Sequence, residues 1–220
     1  MTISATTQGL RPGVTTSSNR PATPFEGQMI YETDTDLTYI YGGSAWQQVS
    51  GGTAVGNSGL VYITSATIGS GVSTVPVANA FSTTYDNYLV QVIGTVVSAN
   101  QPNLGIQLTG TTSGYYYAGF YQAFTSTTLS GDASTTATYI PLASCGNGTA
   151  GNGRVSVDVT VKSPYLAQAT FFSALNSSIT WNSSYTGQLN NSTQYTGFTI
   201  LPSSGTLTGG TIAVYGYRKA

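Results

Sequence analysis

Three carboxylates at alternate positions, Glu32, Asp34 and Asp36, have a spacing that can do chemistry. Alternate side chains of an extended segment share a face, so the three can offer oxygen ligands to a hard cation. The same residues also make a polar turn, for which aspartate is well suited; the turn is the favoured reading, and no metal site is assigned. A second group is aromatic: Tyr115, Tyr116, Tyr117, Phe120, Tyr121, Trp181 and Tyr185. Rings beside Asn and Ser, as in WNSSY at 181–185, can hold a sugar, and Trp181 and Tyr185 are the residues singled out for a glycan. The competing expectation puts such rings in a sandwich core or a subunit interface.

Most catalytic apparatus is missing from the composition. There is no His, and Cys145 is the single Cys, which removes an internal disulfide, a Cys/His zinc site and a His-based triad. Cys145 has no basic neighbour in sequence, so an inert thiol near a loop is expected. A Ser–Lys pair would need Lys162 or Lys219, and Lys162 sits at a polar strand end as a solvated charge. Glycoside cleavage needs paired carboxylates, whereas the body offers Asp86, Asp132 and Asp158. GNGTAG at 146–151 matches the glycine string of dinucleotide sites. That fingerprint lies between a strand and a helix, and here a strand pattern follows it. No catalytic residue and no cofactor is assigned; the chain reads as a non-enzyme.

The elements that must position these residues are strands. From Leu60 onward, LVYIT, VSTVPV, YLVQVIGTVV, LGIQLT, YYYAGFYQAF, ATYIPLA, RVSVDVTV, LAQATFFSAL, YTGFTIL and TIAVYGY are separated by Gly, Asn, Ser and Pro. Val155, Val157, Val159 and Val161 alternate with Arg154, Ser156, Asp158 and Thr160, a period of two that puts one face in a core and one in water. This spacing predicts an all-β fold, an antiparallel β-sandwich of jelly-roll type, over residues 60–220. Residues 1–52 form an extended arm and a β-hairpin, joined to the sandwich by a linker at 53–59. Pro12, Pro21 and Pro24 keep the arm extended. QMIYET, a turn at Asp34–Asp36 and LTYIY make the hairpin, followed by the Gly42–Ser44 turn and AWQQV. Both hairpin faces are apolar, and a two-stranded hairpin is marginal alone. The segment is therefore expected to anchor on a partner through Pro21, Pro24, Met29, Tyr31, Tyr39, Tyr41 and Trp46.

Charged residues are 6% of the chain, against roughly 25% in ordinary soluble proteins. Disorder does not fit 16 Tyr and 7 Phe. No apolar run approaches the roughly 20 residues of a membrane helix, and the N-terminus lacks the pattern of a secretory signal. A net charge of −1 gives no electrostatic case for nucleic acid or a membrane surface. So little long-range repulsion suits close packing against identical neighbours.

The stretch TTSSNRPATPFEGQMIYETDTDLTYIYGGSAW at 15–46 resembles the N-terminal segment of accessory virion proteins of tailed bacteriophages. The matching residues are Arg20, Pro21, Pro24, Gly27, Gln28, Ile30, Tyr31, Glu32, Thr33, Asp34 and Thr35; ATTQGLRPGVTTS at 5–17 and VYGYRKA at 214–220 look like the same group. The likeness is strong over residues 1–50 and weaker beyond. It implies a virion structural protein on the outer surface of the capsid or tail. A chain without long shaft, repeat or coiled coil fits best a capsid decoration (cement) protein, bound to the major capsid protein through its arm. The alternative is a tail fibre or receptor-binding tip, docked on tail components and holding a host surface glycan. The resemblance also implies, with the low charge, a homotrimer.

Overall fold

A computed structural model describes residues 12–49, 59–145 and 154–219. The start of the arm (1–11), most of the expected linker (53–58) and the GNGTAG string at 146–151 lie outside the described residues. The chain divides into two compact units, Met1–Ser58 and Gly59–Ala220.

In the first unit, β1 (Gly13–Thr15), β2 (Met29–Glu32), β3 (Leu37–Tyr41) and β4 (Trp46–Gln48) lie side by side in that order in one sheet. The β2–β3 and β3–β4 pairs are antiparallel. β1 runs parallel to β2, with Gly13 opposite Ile30 and Thr15 opposite Glu32. A single 3-10 turn, Ser17–Asn19, follows β1. An extended arm without secondary structure is the expectation for this segment, and the difference has a local cause. The Asp34 carboxylate, in the turn after β2, accepts the Ser17 N–H at 2.9 and 3.1 Å and the Ser17 hydroxyl. The Thr33 N–H donates to the Thr15 carbonyl at 2.9 Å. The polar turn thus catches the arm and lays it along the hairpin. Such bonds join residues 17 and 18 positions apart, a range that hydrophobic periodicity does not report.

The second unit holds β5 (Leu60–Thr67), β6 (Val75–Val77), β7 (Asn87–Val97), β8 (Asn103–Leu108), β9 (Tyr115–Ala123), β10 (Ser130–Ala137), β11 (Ile140–Ser144), β12 (Arg154–Lys162), β13 (Thr170–Ser178), β14 (Trp181–Leu189), β15 (Phe198–Pro202), β16 (Leu207–Thr208) and β17 (Thr211–Tyr217). They make two antiparallel sheets in an all-β sandwich. The large sheet has the order β10-β9-β14-β13-β12-β7-β17-β5, with β16 also paired to β7; the small sheet has the order β11-β8-β15-β6. Val90 and Val92 of β7, Val157 and Val159 of β12, and Ile212 and Val214 of β17 join Leu104, Ile106, Phe198 and Ile200 of the small sheet in one buried cluster. Each such side chain contributes about 1.5–3 kcal/mol on burial. The expected alternation in β12 is observed: Val155, Val157, Val159 and Val161 are buried while Arg154, Asp158 and Lys162 are exposed.

β10 and β14 carry no strand signal in the sequence. β10, SGDASTTA, has no large apolar residue because it is the outermost strand of the large sheet. In β14 the alternate positions run Ser183, Tyr185, Gly187 and Leu189, so small residues interrupt the apolar alternation. β11, the edge of the small sheet, packs on β9, β12, β13 and β14. Beyond it the large sheet continues to its own edge at β10.

Gly119 of β9 makes this register possible. It stands between Asp132 of β10 and Tyr185 of β14 in the ladder. A Cβ there would lie 2.2 Å from the Tyr185 ring and 2.6 Å from the Ser184 carbonyl. At Gly131 a Cβ would meet nothing nearer than 3.9 Å. Gly119→Ala is expected to destabilise the body by about 1–3 kcal/mol through overpacking. Gly131→Ala should stay within about 0.5 kcal/mol of the parent. Urea unfolding midpoints of the two variants check the contrast.

Candidate functional site

A cavity of about 160 Å³ lies at the end of β11. From the large sheet, β14 contributes Trp181 and Tyr185, β9 contributes Tyr121 and β10 contributes Asp132. From the other side come Asn103 at the start of β8 and Ser144 at the end of β11, with Cys145 and Gln101 flanking them. Trp181 and Tyr185 lie four residues apart on one strand and so face the same way. The Trp181 and Tyr121 rings are 5.6 Å apart, tilted at 59°. Trp181 is half-buried, whereas Tyr185 is only 1% exposed and belongs to the floor.

A connected set of polar groups ties the two sheets beneath this cavity. The Ser144 N–H donates to Ser183 Oγ at 3.0 Å. The Ser183 N–H and hydroxyl both donate to Asn176 Oδ1, at 2.7 and 3.0 Å. Asn176 Nδ2 donates back to the Ser144 carbonyl at 3.4 Å. The Ser144 hydroxyl lies 3.0 Å from the Tyr185 hydroxyl and 3.3 Å from Asn103 Oδ1. Buried polar atoms are costly when unpaired, and here each supplies the next. Burial pushes both the Tyr185 phenol and the Cys145 thiol up to about 12. Cys145 is therefore a protonated, covered thiol, as the sequence suggests.

Among the described residues, Asp132 is the one carboxylate lining the cavity. Tyr117 donates to its Oδ2 at 3.2 Å; burial, then the Asp132 charge, push the Tyr117 phenol up to about 12. The other body carboxylates are engaged elsewhere. Asp86 pairs with Lys219 at 2.8 Å, and Asp158 accepts Gln91 Nε2 at 2.9 Å. The described residues assemble no carboxylate pair at the cavity and no Ser–Lys dyad.

The residues expected to anchor the N-terminal segment have a different organisation. Glu32 is fully buried, ion-paired with Arg20, and accepts the Thr35 hydroxyl at 2.9 Å. The Arg20 guanidinium also sits 4.3 Å from the centre of the Tyr39 ring. The Arg20 bond holds the Glu32 carboxyl below its ordinary range, and the Ser17 bonds do the same for Asp34. Tyr31 donates to Asp36 at 2.7 Å. Each of the three alternating carboxylates thus has its own protein partner, and no cluster of three metal-ligating side chains occurs among the described residues. Tyr31, Tyr39, Tyr41 and Trp46 are half-buried within their own unit, with Tyr41 and Trp46 5.4 Å apart. Pro21 and Pro24 are half-buried, and Met29 is exposed alongside Val14, Phe25 and Val49. Sequence reasoning missed the Arg20–Glu32 pair, Asn176, Ser183, Ser144 and Asp132 as site-forming groups. Among these, Arg20 and Glu32 carry a signal, since both belong to the matched motif.

No family model matches this chain, nor does any curated protein or solved structure.

Two outcomes follow from these bonds. Asn176→Ala strips the Ser183 N–H and hydroxyl of their acceptor and should cost about 1–3 kcal/mol of stability, read from the urea midpoint. In the first unit, Glu32 and Asp34 are both depressed in the folded state. Their stabilisation is full above the ordinary carboxylate range and is lost as pH falls through the folded values. Arg20 stays protonated throughout, so acid removes only the anionic partner. The Ile30 methyl signals should begin to move only below pH 4.5, the ordinary value for Glu32, and collapse towards random-coil positions as pH falls through its lowered folded value; Glu32→Gln should show the same loss at neutral pH by NMR.

Proposed function

We propose that this chain is a non-enzymatic structural protein of a tailed-phage particle, a decoration protein on the outer capsid surface that attaches through residues 1–52. One observation carries the reading. The residues of the phage-like motif hold their own unit together: Arg20 on Glu32, Thr35 on Glu32 and Asp34 on Ser17, with Ile30 buried in the same unit. The motif therefore encodes a small folded plug with exposed Val14, Phe25, Met29 and Val49. Such a preformed plug loses less entropy on docking than a flexible tail does. Partners in this reading are the major capsid protein and, in a homotrimer, two further copies of the chain.

The strand order supports a jelly-roll body. β5, β6, β7, β8, β11, β12, β15 and β17 divide between the sheets in the orders β5-β17-β7-β12 and β6-β15-β8-β11, crossing at every step except β8 to β11, as in two interleaved Greek keys. The β9–β10 and β13–β14 hairpins are insertions that widen one sheet. Fold alone does not decide function. The cavity at Trp181 favours a second reading, a tail fibre or receptor-binding tip holding a host glycan with the same N-terminal attachment.

Complementation of particles lacking this protein tests attachment, with copies per particle measured by gel densitometry against the major capsid protein. A chain lacking residues 1–50 should fold and fail to load. Trp46→Ala should weaken loading by about 2 kcal/mol if that ring is a docking hot spot. Normal occupancy of the truncated chain would assign the contact to the sandwich. Hundreds of copies of the full chain would mean shell, and a few to tens would mean tail.

A further inference from the structure

The geometry points to the Trp181 cavity as a binding site for one neutral pyranose unit, with Asp132 as the group that accepts its hydroxyls. This deepens the glycan-holding reading and rests on it only for biological setting, because the site stands or falls on the isolated protein. Three observations converge. The first is the paired ring wall of Trp181 and Tyr121, an apolar surface against which the C–H face of a sugar ring can pack. The second is unspent hydrogen-bonding capacity. Asp132 Oδ1, the Gln101 amide, the Tyr121 hydroxyl and the Trp181 indole N–H have no protein partner among the described residues. A carboxylate offers two oxygens with several lone pairs, suited to adjacent hydroxyls. The third is a floor that is already satisfied. Asn176, Ser183, Ser144 and Tyr185 bond one another, so the site is preorganised and need not collapse to complete itself.

Size and charge set the ligand class. About 160 Å³ lies below the roughly 300–1,000 Å³ of drug-sized pockets, so one ring fits and an oligosaccharide would extend outside. With Asp132 in the lining and no cationic side chain among the described lining residues, uronic acids and phosphates are disfavoured. A single ring with about a dozen heavy atoms, at modest efficiency per atom, corresponds to a dissociation constant of about 1–10 mM.

The chain has two tryptophans, Trp46 and Trp181, so full-length Trp46→Phe protein makes Trp181 the sole indole reporter. Methyl α-glucopyranoside, methyl α-galactopyranoside, N-acetylglucosamine, glucuronate and glucosamine are titrated against its fluorescence. At least one of the three neutral sugars should give a saturable change, and glucuronate should bind at least about tenfold more weakly. Asp132→Asn, which keeps the shape and an acceptor for Tyr117, should weaken binding about tenfold with an unchanged unfolding midpoint. A Trp181→Phe variant, followed by saturation-transfer NMR, should retain weak contact, showing that the signal is not an indole artefact. No saturable response to any neutral sugar at about 50 mM, well above the expected constant, overturns the site. Preference for glucuronate, or for glucosamine over all three neutral sugars, overturns the ligand class. Either failure leaves the particle-loading result, measured separately, untouched.

Discussion

Where the small sheet ends, its last strand still carries backbone groups and a hydroxyl that need partners, and the large sheet supplies them. Ser144 gives its N–H to Ser183, receives Asn176 Nδ2 on its carbonyl and shares its hydroxyl with Tyr185 and Asn103. Elsewhere the sheets are joined mainly by apolar side chains, which tolerate sliding better than directional bonds do, with the Leu108 N–H donating to the Tyr115 hydroxyl at 2.8 Å at the other end of β8. At this edge the bonds fix which residue of β11 meets which residues of β13 and β14. The registry of the wider sheet over the narrower one depends on it.

The cavity is a consequence of that constraint. Tyr185 must reach Ser144, and its ring crosses the space that a side chain at position 119 would fill; hence a glycine there. With Tyr185 drawn down into the floor, Trp181 and Tyr121 remain above it as a wall, and Asp132 stands in the neighbouring strand with one oxygen committed to Tyr117. The N-terminal unit obeys a related rule on a smaller scale. With Ile30 as its one fully buried apolar side chain among the described residues, it relies on the Arg20–Glu32 pair and the Ser17–Asp34 bonds, which is why its integrity should follow carboxylate ionisation.

Strands with regular alternation were legible in the sequence, β12 most plainly, because period two directly reports one buried face. β10 and β14 were not, since an edge strand and a strand lined by Ser and Gly bury too little apolar surface to leave a pattern. Trp181 and Tyr185, four positions apart in sequence, line one cavity. Asp132 joins them from 49 positions away through β9, a partnership that only the ladder of β10, β9 and β14 reveals. The carboxylates of the hairpin illustrate the opposite case. Their spacing suggested a shared role, yet each turned to a different partner.

The central claim, that the Asn176–Ser183–Ser144 chain locks the two sheets together, is tested most directly by native-state hydrogen exchange at the Ser183 and Ser144 amides. Both N–H groups donate to side chains within the chain. They should exchange as slowly as the Val157 and Val159 amides in the centre of the large sheet, through global unfolding. Exchange at loop-like rates, with the β12 amides still protected, would mean that the edge of β11 opens on its own, and would contradict the account.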